Sequence, residues 1–450
     1  MNCIVNKPLP LETQRVGKLM FQLAVPSICA QLISLLYSVV DRIYLGHIPD
    51  TGTQVLSGIG IVVPVITIIN AFSNLIGMGG GPLAAIALGG KNLKQANRIM
   101  WNSLCFTVVI ALMLTTFMLI FKKSILSVFG VDEAIYKYAE EYYVICSLGS
   151  LFSIGTLVIN MFLTTQGKNK ISMFIVCAGA VFNLIFDPIF IFVLGLGLKG
   201  AALVTVISQA GTTIAGFIFL LGKKSILKIE PQRLNVKVFG RICKLGFAQF
   251  FATSTESLIN IVYNRQFFFY GNEEYVAAFS VIFTISQILI LPLNGMMQGA
   301  QPIISVSYGG RNLVRLRSAI KYCIISGTLF EFAGTIIVEI FARQIFGIFS
   351  SDSNFIELGI LPMRIFILGR LFGGVQWSIQ TIHRSSGQAL RATIIPIFRK
   401  LILIVPLCFI IPAATGLGTT GVAAVEPISD LCAQIFSIII FIPFYRKMDS

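Results

Sequence analysis

The sequence predicts an all-α polytopic membrane protein with twelve transmembrane helices in two pseudo-symmetric six-helix bundles. Three observations predict it. Hydrophobic residues make up 56% of the 450-residue chain and charged residues only 12%, and mean hydropathy is +0.86. About twelve apolar stretches of roughly 20 residues or more follow one another, each long enough to cross a bilayer as a helix. The first half also recurs in the second, with every number raised by 220: Gly79-x-x-Pro82 and Gly89-Gly90-Lys91-Asn92-Leu93 return as Gly299-x-x-Pro302 and Gly309-Gly310-Arg311-Asn312-Leu313. The register continues through Val128-Phe129-x-x-Asp132 and Ile348-Phe349-x-x-Asp352, and Gly149 and Gly167 match Gly369 and Gly387. A duplicated membrane half implies two lobes around one central site.

The spans fall near 18–45, 55–86, 99–121, 140–163, 171–194, 201–222, 240–270, 275–305, 320–342, 355–382, 391–412 and 421–444. They must be helices, because a lipid-exposed backbone has to satisfy its own hydrogen bonds. A closed barrel would need short alternating segments instead. Ahead of the first span lie 17 polar residues with no small-residue cleavage site behind a short apolar core, so no cleaved signal peptide is expected. The second and third spans are joined by the Gly-Gly-Lys-Asn-Leu turn, where paired glycines permit positive φ and the basic residue anchors at the lipid surface. The same turn joins the eighth and ninth spans with Arg311. Neither fits GxxxxGK[ST], so neither is a phosphate loop, and ATP hydrolysis by the chain is not expected. Glycine runs at Gly77 to Gly81 and Gly295 to Gly299 allow close helix contact or local unwinding beside a cavity. The fifth and sixth spans turn at Gly195-Leu196-Gly197. The longest polar interruption, Lys223 to Lys244, then divides the chain into a lobe at 1–222, a basic linker at 223–244 and a lobe at 245–450.

The net charge is +15, and its distribution decides what it means. Lys and Arg gather in alternate loops, for example Lys91, Lys94 and Arg98, then Lys223 to Lys244, then Arg311, Arg315 and Arg317. The intervening loops hold Asp50, Asp132, Glu133, Glu140, Glu141, Glu273, Glu274 and Asp352. This alternation is the positive-inside pattern, which places both termini in the cytoplasm and the chain in the plasma membrane as a multi-pass protein. Anionic lipid heads account for the charge, and no nucleic-acid partner is expected. The nine cysteines include no CxxC, and His47 and His383 are the two histidines, so neither a disulfide framework nor a metal cluster is expected.

Acids inside apolar spans carry the sharpest signal, since such groups are costly in hydrocarbon and face a cavity or a partner. Asp41 lies about one turn before the outer end of the first span. Asp187 lies about two turns before the outer Gly195 hairpin, with Asn183 on the same helix face. Thr205 lies a turn into the sixth span. Asp41, Asn183, Asp187 and Thr205 therefore share the outer half of the first lobe and form a plausible oxygen-ligand site for Na⁺ or a proton relay. Pro188 bends its helix and frees a carbonyl. The second lobe does not copy this site. Glu256 lies near mid-membrane in the seventh span, Glu426 and Asp430 share a face of the twelfth, and Glu331 and Glu339 have no assigned partner. An acidic cavity wall would attract cationic, partly apolar substrates, unless Arg364, Arg370, Arg399 or Lys400 pairs with these acids. Among 37 Phe, 12 Tyr and 2 Trp, most pack or face lipid. Met78, Met296 and Met297 flank the repeat glycines and have a better claim on the cavity, as does Gln298 beside them.

These motifs carry a resemblance. Tyr37-x-x-x-Asp41-x-x-x-x-Gly46, Asn183-x-x-x-Asp187-Pro188, Gly197-x-x-Gly200-Ala201-Ala202 and Thr205-x-x-Ser208-Gln209 resemble signatures of the multidrug and toxic compound extrusion (MATE) family. So does Gln298-Gly299-Ala300-Gln301-Pro302, and the resemblance spans nearly the whole chain. Glu426-Pro427-x-x-Asp430 resembles a bacterial subgroup that exports cationic drugs. The resemblance implies two six-helix bundles with cavities open alternately to each side, and export driven by inward H⁺ or Na⁺. It also implies a cation site at Asp41, Asn183, Asp187 and Thr205 with Tyr37 as hydrogen-bond partner, and a bend of the first span at Pro26. The expected substrates are small organic cations, bound by a monomer without a cofactor. A flippase for lipid-linked sugars or another lipid is the alternative within the fold group, and would favour a cationic cavity. A passive channel fits the repeat and the buried acids poorly. An enzyme fits worst, because no nucleophile–base or metal constellation appears.

Overall fold

A computed structural model describes residues 10–48, 52–128, 133–350 and 352–448. Asp50, Phe129 and Asp132, which the sequence placed in loops and in the repeat, lie outside these residues. The first bundle contains α1 (Val16–Gly46), α2 (Gly52–Gly89), α3 (Leu93–Ile120), α4 (Glu133–Leu148 and Ser150–Thr165), α5 (Asn169–Pro188, continued by a π-turn at Ile189–Val193) and α6 (Gly197–Leu221). The second contains α7 (Val236–Tyr270), α8 (Glu273–Gly309), α9 (Leu313–Ile340), α10 (Ser353–Leu368, a 3₁₀ turn at Gly369–Phe372, then Gly373–Ser385), α11 (Ala389–Ile397, a π segment at Phe398–Ile404, then Val405–Thr415) and α12 (Gly418–Arg446). Helix α7 thus starts at Val236, inside the stretch read as linker. Large apolar side chains such as Leu112, Met113 and Phe117 on α3 stand exposed on the outside, as helices facing lipid require.

Among the described residues, nine helices are long and apolar enough to span a bilayer, and the two halves of α4, bent by 50°, make a tenth. The exceptions are α7 and α10. Arg241, Lys244, Glu256 and Arg265 interrupt α7, and Glu357, Arg364, Arg370 and Arg384 interrupt α10. Both are the polar helices of the second bundle, and both line its cavity.

The duplication is visible in local geometry. Asn92 and Asn312 cap α3 and α9 alike, each side chain accepting from the backbone N–H three residues on, at 3.0 Å. Helices α4 and α10 break at the matched glycines Gly149 and Gly369. A Cβ on Gly149 would lie 2.4 Å from Val206, and one on Gly369 would lie 2.7 Å from Pro427. The Gly-Gly turns correct an expectation. Positive φ falls on Lys91 (57°) and Arg311 (53°), while the glycines provide close approach. A Cβ on Gly89 would sit 2.0 Å from the Val306 carbonyl oxygen, and one on Gly309 would sit 2.0 Å from that of Ile86. The two turns therefore press backbone to backbone.

Further crossings join the bundles on the same side. Helix α2 meets α7 where a Cβ on Gly79 would lie 2.1 Å from the Ile242 carbonyl oxygen, and one on Gly246 would lie 1.8 Å from that of Leu75. Helix α8 meets α1 where a Cβ on Gly295 would be 2.7 Å from Ile28, and one on Gly299 would be 2.6 Å from Ala24. All these contacts lie in the helix halves nearest the basic loops. The lobes are closed there, and the cavity lies toward the opposite face.

Candidate functional site

In the first bundle, α1 presents Tyr37 and Asp41 one turn apart, and α5 presents Asn183 and Asp187 in the same way. Asp41 acts electrostatically on Asp187, and both carboxylates act on the Tyr37 hydroxyl, so the two helices bring these groups together. Asn183 and Asp187 are buried. Asn183 Nδ2 donates to the Gly179 carbonyl at 3.1 Å, and the Ser208 hydroxyl of α6 donates to the same oxygen at 2.9 Å. Asn183 Oδ1 is thereby turned away from its own helix. The Oδ1 atoms of Asp41, Asn183 and Asp187 are all buried and accept no hydrogen bond among the described residues. Three unmatched acceptors on facing helices suit a proton or a small hard cation. Thr205 sits half-buried on α6, three residues before Ser208.

Two further groups belong here that sequence reasoning missed. Tyr142 and Cys146, four residues apart on α4, lie within the electrostatic reach of Asp41. Their i, i+4 spacing was the available signal, but the Glu140-Glu141 pair beside them read only as an outer loop.

The hinge candidates have distinct surroundings. Helix α1 runs unbroken through the buried Pro26. Beside it, the Ser27 hydroxyl and Asn169 Nδ2 each donate to the Leu23 carbonyl at 3.1 Å, and Asn169 Nδ2 also reaches Ser27 Oγ at 2.9 Å. Asn169 is the first residue of α5, so a polar staple ties α5 to α1 where proline leaves a backbone donor missing. At Pro188 the chain passes into the π-turn, where Leu194 N donates to Ile189 O at 2.8 Å. The helix widens locally directly after the proline.

The second bundle holds a cavity of about 240 Å³, lined mainly by α7, α8, α10, α11 and α12, with Thr67 reaching in from α2. Glu256, Glu426 and Asp430 line it, but so do Arg370, Arg399 and Lys400. Arg399 donates to Asp430 and, at 2.5 Å, to Glu426, whose other oxygen accepts from the Tyr263 hydroxyl at 2.8 Å. Lys400 pairs with Glu256. Glu331 is fully buried with Arg370 4.0 Å away, and Glu339 lies 3.9 Å from Arg364. The acidic wall expected from sequence is therefore a set of ion pairs, because the π segment of α11 carries cations to it. The consecutive residues Arg399 and Lys400 diverge around the helix and reach α12 and α7 respectively, and π segments commonly mark functional sites.

Met78, Met296, Met297 and Gln298 are not among the residues that line this cavity. The glycines around them are used for the α1–α8 and α2–α7 crossings. Met297 is buried against Cys323 Sγ at 3.7 Å and Ser378 Oγ at 3.9 Å. In place of sulfur, the cavity offers amides and aromatic rings, among them Gln249, Asn260, Gln287, Gln376 and Trp377.

Comparison with known proteins gives a consistent picture. The MatE family model matches residues 26–189 and 248–410, once in each bundle. The chain is similar to the multidrug export protein MepA of Staphylococcus haemolyticus, at 27% identity over 418 residues covering 91% of this chain and 90% of that protein. It is also similar to MepA of Staphylococcus aureus, at 25% identity over 434 residues covering 96% and 95%. Among solved structures, it superposes on an outward-facing multidrug resistance MATE family transporter with a TM-score of 0.91, 22% identity and 99% of each chain covered. A MOP superfamily transporter from Pyrococcus furiosus, for which reversed polarity of the binding pocket suggests a different function, gives a TM-score of 0.90 at 23% identity over 97% of each chain.

Proposed function

Because the chain belongs to the MATE family, a family of membrane transporters, we propose that it is a secondary active antiporter that exports organic cations in exchange for H⁺ or Na⁺. The observation that carries this reading is the Asp41–Asn183–Asp187 cluster, where three buried acceptor oxygens on two helices have no donor. A proton or Na⁺ entering there supplies what the oxygens lack. It changes the relative free energy of the two access states only if it binds them unequally. Tyr37 and Tyr142 flank the acids and share their field, and Thr205 completes the polar face from α6. Pro26, stapled by Asn169, is the point at which α1 responds to the ion.

Substrate binds in the second-bundle cavity. Glu256, Glu426 and Asp430 supply its negative charge, and their partners Lys400 and Arg399 must be released for a cationic substrate to compete. The moving units are residues 1–222 and 245–450, joined by the 223–244 linker. The protein works as a monomer in the plasma membrane with both termini in the cytoplasm, so the closed basic side faces inward.

The test is counterflow of a fluorescent organic cation in proteoliposomes under an imposed pH or Na⁺ gradient. Asp41→Asn and Asp187→Asn are expected to abolish resistance in an efflux-deficient host while expression persists. Retained resistance in both variants would sink the mechanism. The second reading, a flippase for lipid-linked sugars, draws support from Arg370, Arg399 and Lys400 in the cavity, which suit a phosphate. It predicts no cation counterflow and transfer of a labelled lipid between leaflets.

A further inference from the structure

A second cavity, of about 400 Å³, opens on the basic face where α3 begins. Lys94 and Arg98 of α3 and Arg241 of α7 line it, with Asn92, Gln95 and Gln232 at its edges. Among the described residues, none of these three cations makes an ion pair.

The start of α9 in the second copy holds its basic residues differently. Arg315 and Arg317 lie in the first turns of α9, and both donate to backbone carbonyls of other segments. Arg315 donates to the carbonyls of Leu11 at 3.0 Å and Gln14 at 2.7 Å, and Arg317 donates to that of Met448. In the first copy the covering segment is the linker, and neutral side chains hold it. Asn97 Oδ1 accepts from Lys228 N at 3.0 Å, Trp101 Nε1 donates to the Gln232 carbonyl at 2.9 Å, and Asn102 Oδ1 accepts from Asn235 N at 2.8 Å. The wall of the cavity is thus built without using its cations.

We propose that this cavity binds a phosphate group, presented by an anionic phospholipid headgroup or as free phosphate. Two guanidinium forks and an ammonium match a tetrahedral dianion, and the first turn of α3 adds its N-terminal dipole. The cavity lies where the helices leave the membrane, at headgroup level. Lys94 and Arg98 belong to the first bundle and Arg241 to the second. A phosphate held by all three therefore favours the conformation in which the basic-side halves touch.

The test uses the full-length protein in phosphatidylcholine nanodiscs. Phosphatidylglycerol is titrated in one arm and inorganic phosphate in the other, with the thermal unfolding midpoint as readout. The wild type is expected to be stabilised in at least one arm. A response to phosphatidylglycerol alone assigns the headgroup, and a response to inorganic phosphate alone assigns the free ion. At about one kcal/mol per cation, Arg98→Gln should weaken binding about fivefold and Lys94→Gln/Arg98→Gln/Arg241→Gln on the order of 100-fold. Lys170→Gln, exposed in the first turn of α5 on the same face, controls for diffuse surface attraction. No stabilisation of the wild type in either arm overturns the proposal. Equal responses of Arg98→Gln and Lys170→Gln also overturn it, and that comparison stands even if the triple variant does not fold.

Discussion

An alanine at Gly89 would place its methyl carbon 2.0 Å from the Val306 carbonyl oxygen and 2.7 Å from its carbonyl carbon. Carbon and carbonyl oxygen rest at roughly 3.3 Å or more, so the two backbones would have to part by about 1.3 Å. Neither atom is a side chain, so no rotamer change relieves the clash. Overpacking of this kind costs about 1–3 kcal/mol. The penalty falls on the conformation in which the turns touch and spares the one in which they are apart, so the closed population should drop by roughly 5- to 150-fold relative to the open one. Gly90→Ala is the internal control, because its Cβ would meet the Gly309 carbonyl at 3.4 Å, an ordinary contact. Spin labels at Lys170→Cys and Leu390→Cys, exposed matched positions on the basic side, would report the separation in a background lacking the native cysteines. Gly89→Ala should shift the distance distribution outward and slow transport, and Gly90→Ala should do neither. If Gly89→Ala leaves both distances and transport unchanged, backbone contact is not what closes this face.

Two further outcomes follow from the second bundle. Arg399→Met strands the buried carboxylates of Glu426 and Asp430 and should cost about 3–5 kcal/mol in unfolding stability, with most of it restored by adding Glu426→Gln and Asp430→Asn; a single variant as stable as wild type would show the ion pairs to be unimportant. Met297→Ala should cost about 2–5 kcal/mol as a core truncation while the affinity for a transported cation stays constant, and a selective loss of that affinity would return Met297 to the substrate site.

The architecture was legible because each of its signals is local: long apolar runs, turn residues and loop charges repeat at one spacing. The first-bundle cluster was legible because Asp41, Asn183 and Asp187 could be placed by depth, counting helical turns from a known hairpin. What failed was foreseeing which neighbours cover a helix face. Met297 lies on the same face of α8 as the cavity residues Ile290 and Asn294, but Cys323 of α9 and Ser378 of α10 close over it, and no residue count foresees that packing. The ion pairs were hidden for a related reason. Arg399 and Lys400 are adjacent in sequence and diverge around α11, and which acids they meet is set by how α12 and α7 pack beside it, which has no sequence mark. The turn glycines show a third limit. Gly89 and Gly90 read as the residues needing positive φ, but tertiary contact claimed Gly89 for proximity and left the left-handed conformation to Lys91.

The seam between Gly89 and Gly309 has a consequence for how the lobes separate. An interface of side chains freezes rotamers whenever it forms, at about 0.5–1.5 kcal/mol for each flexible chain, and an interface of ion pairs weakens as ionic strength rises. At its closest approach this seam consists of bare main chain on both sides, with no rotamers to order and no charges to screen. It can part and re-form many times with little entropic drag, and this main-chain contact does not itself weaken as ionic strength rises.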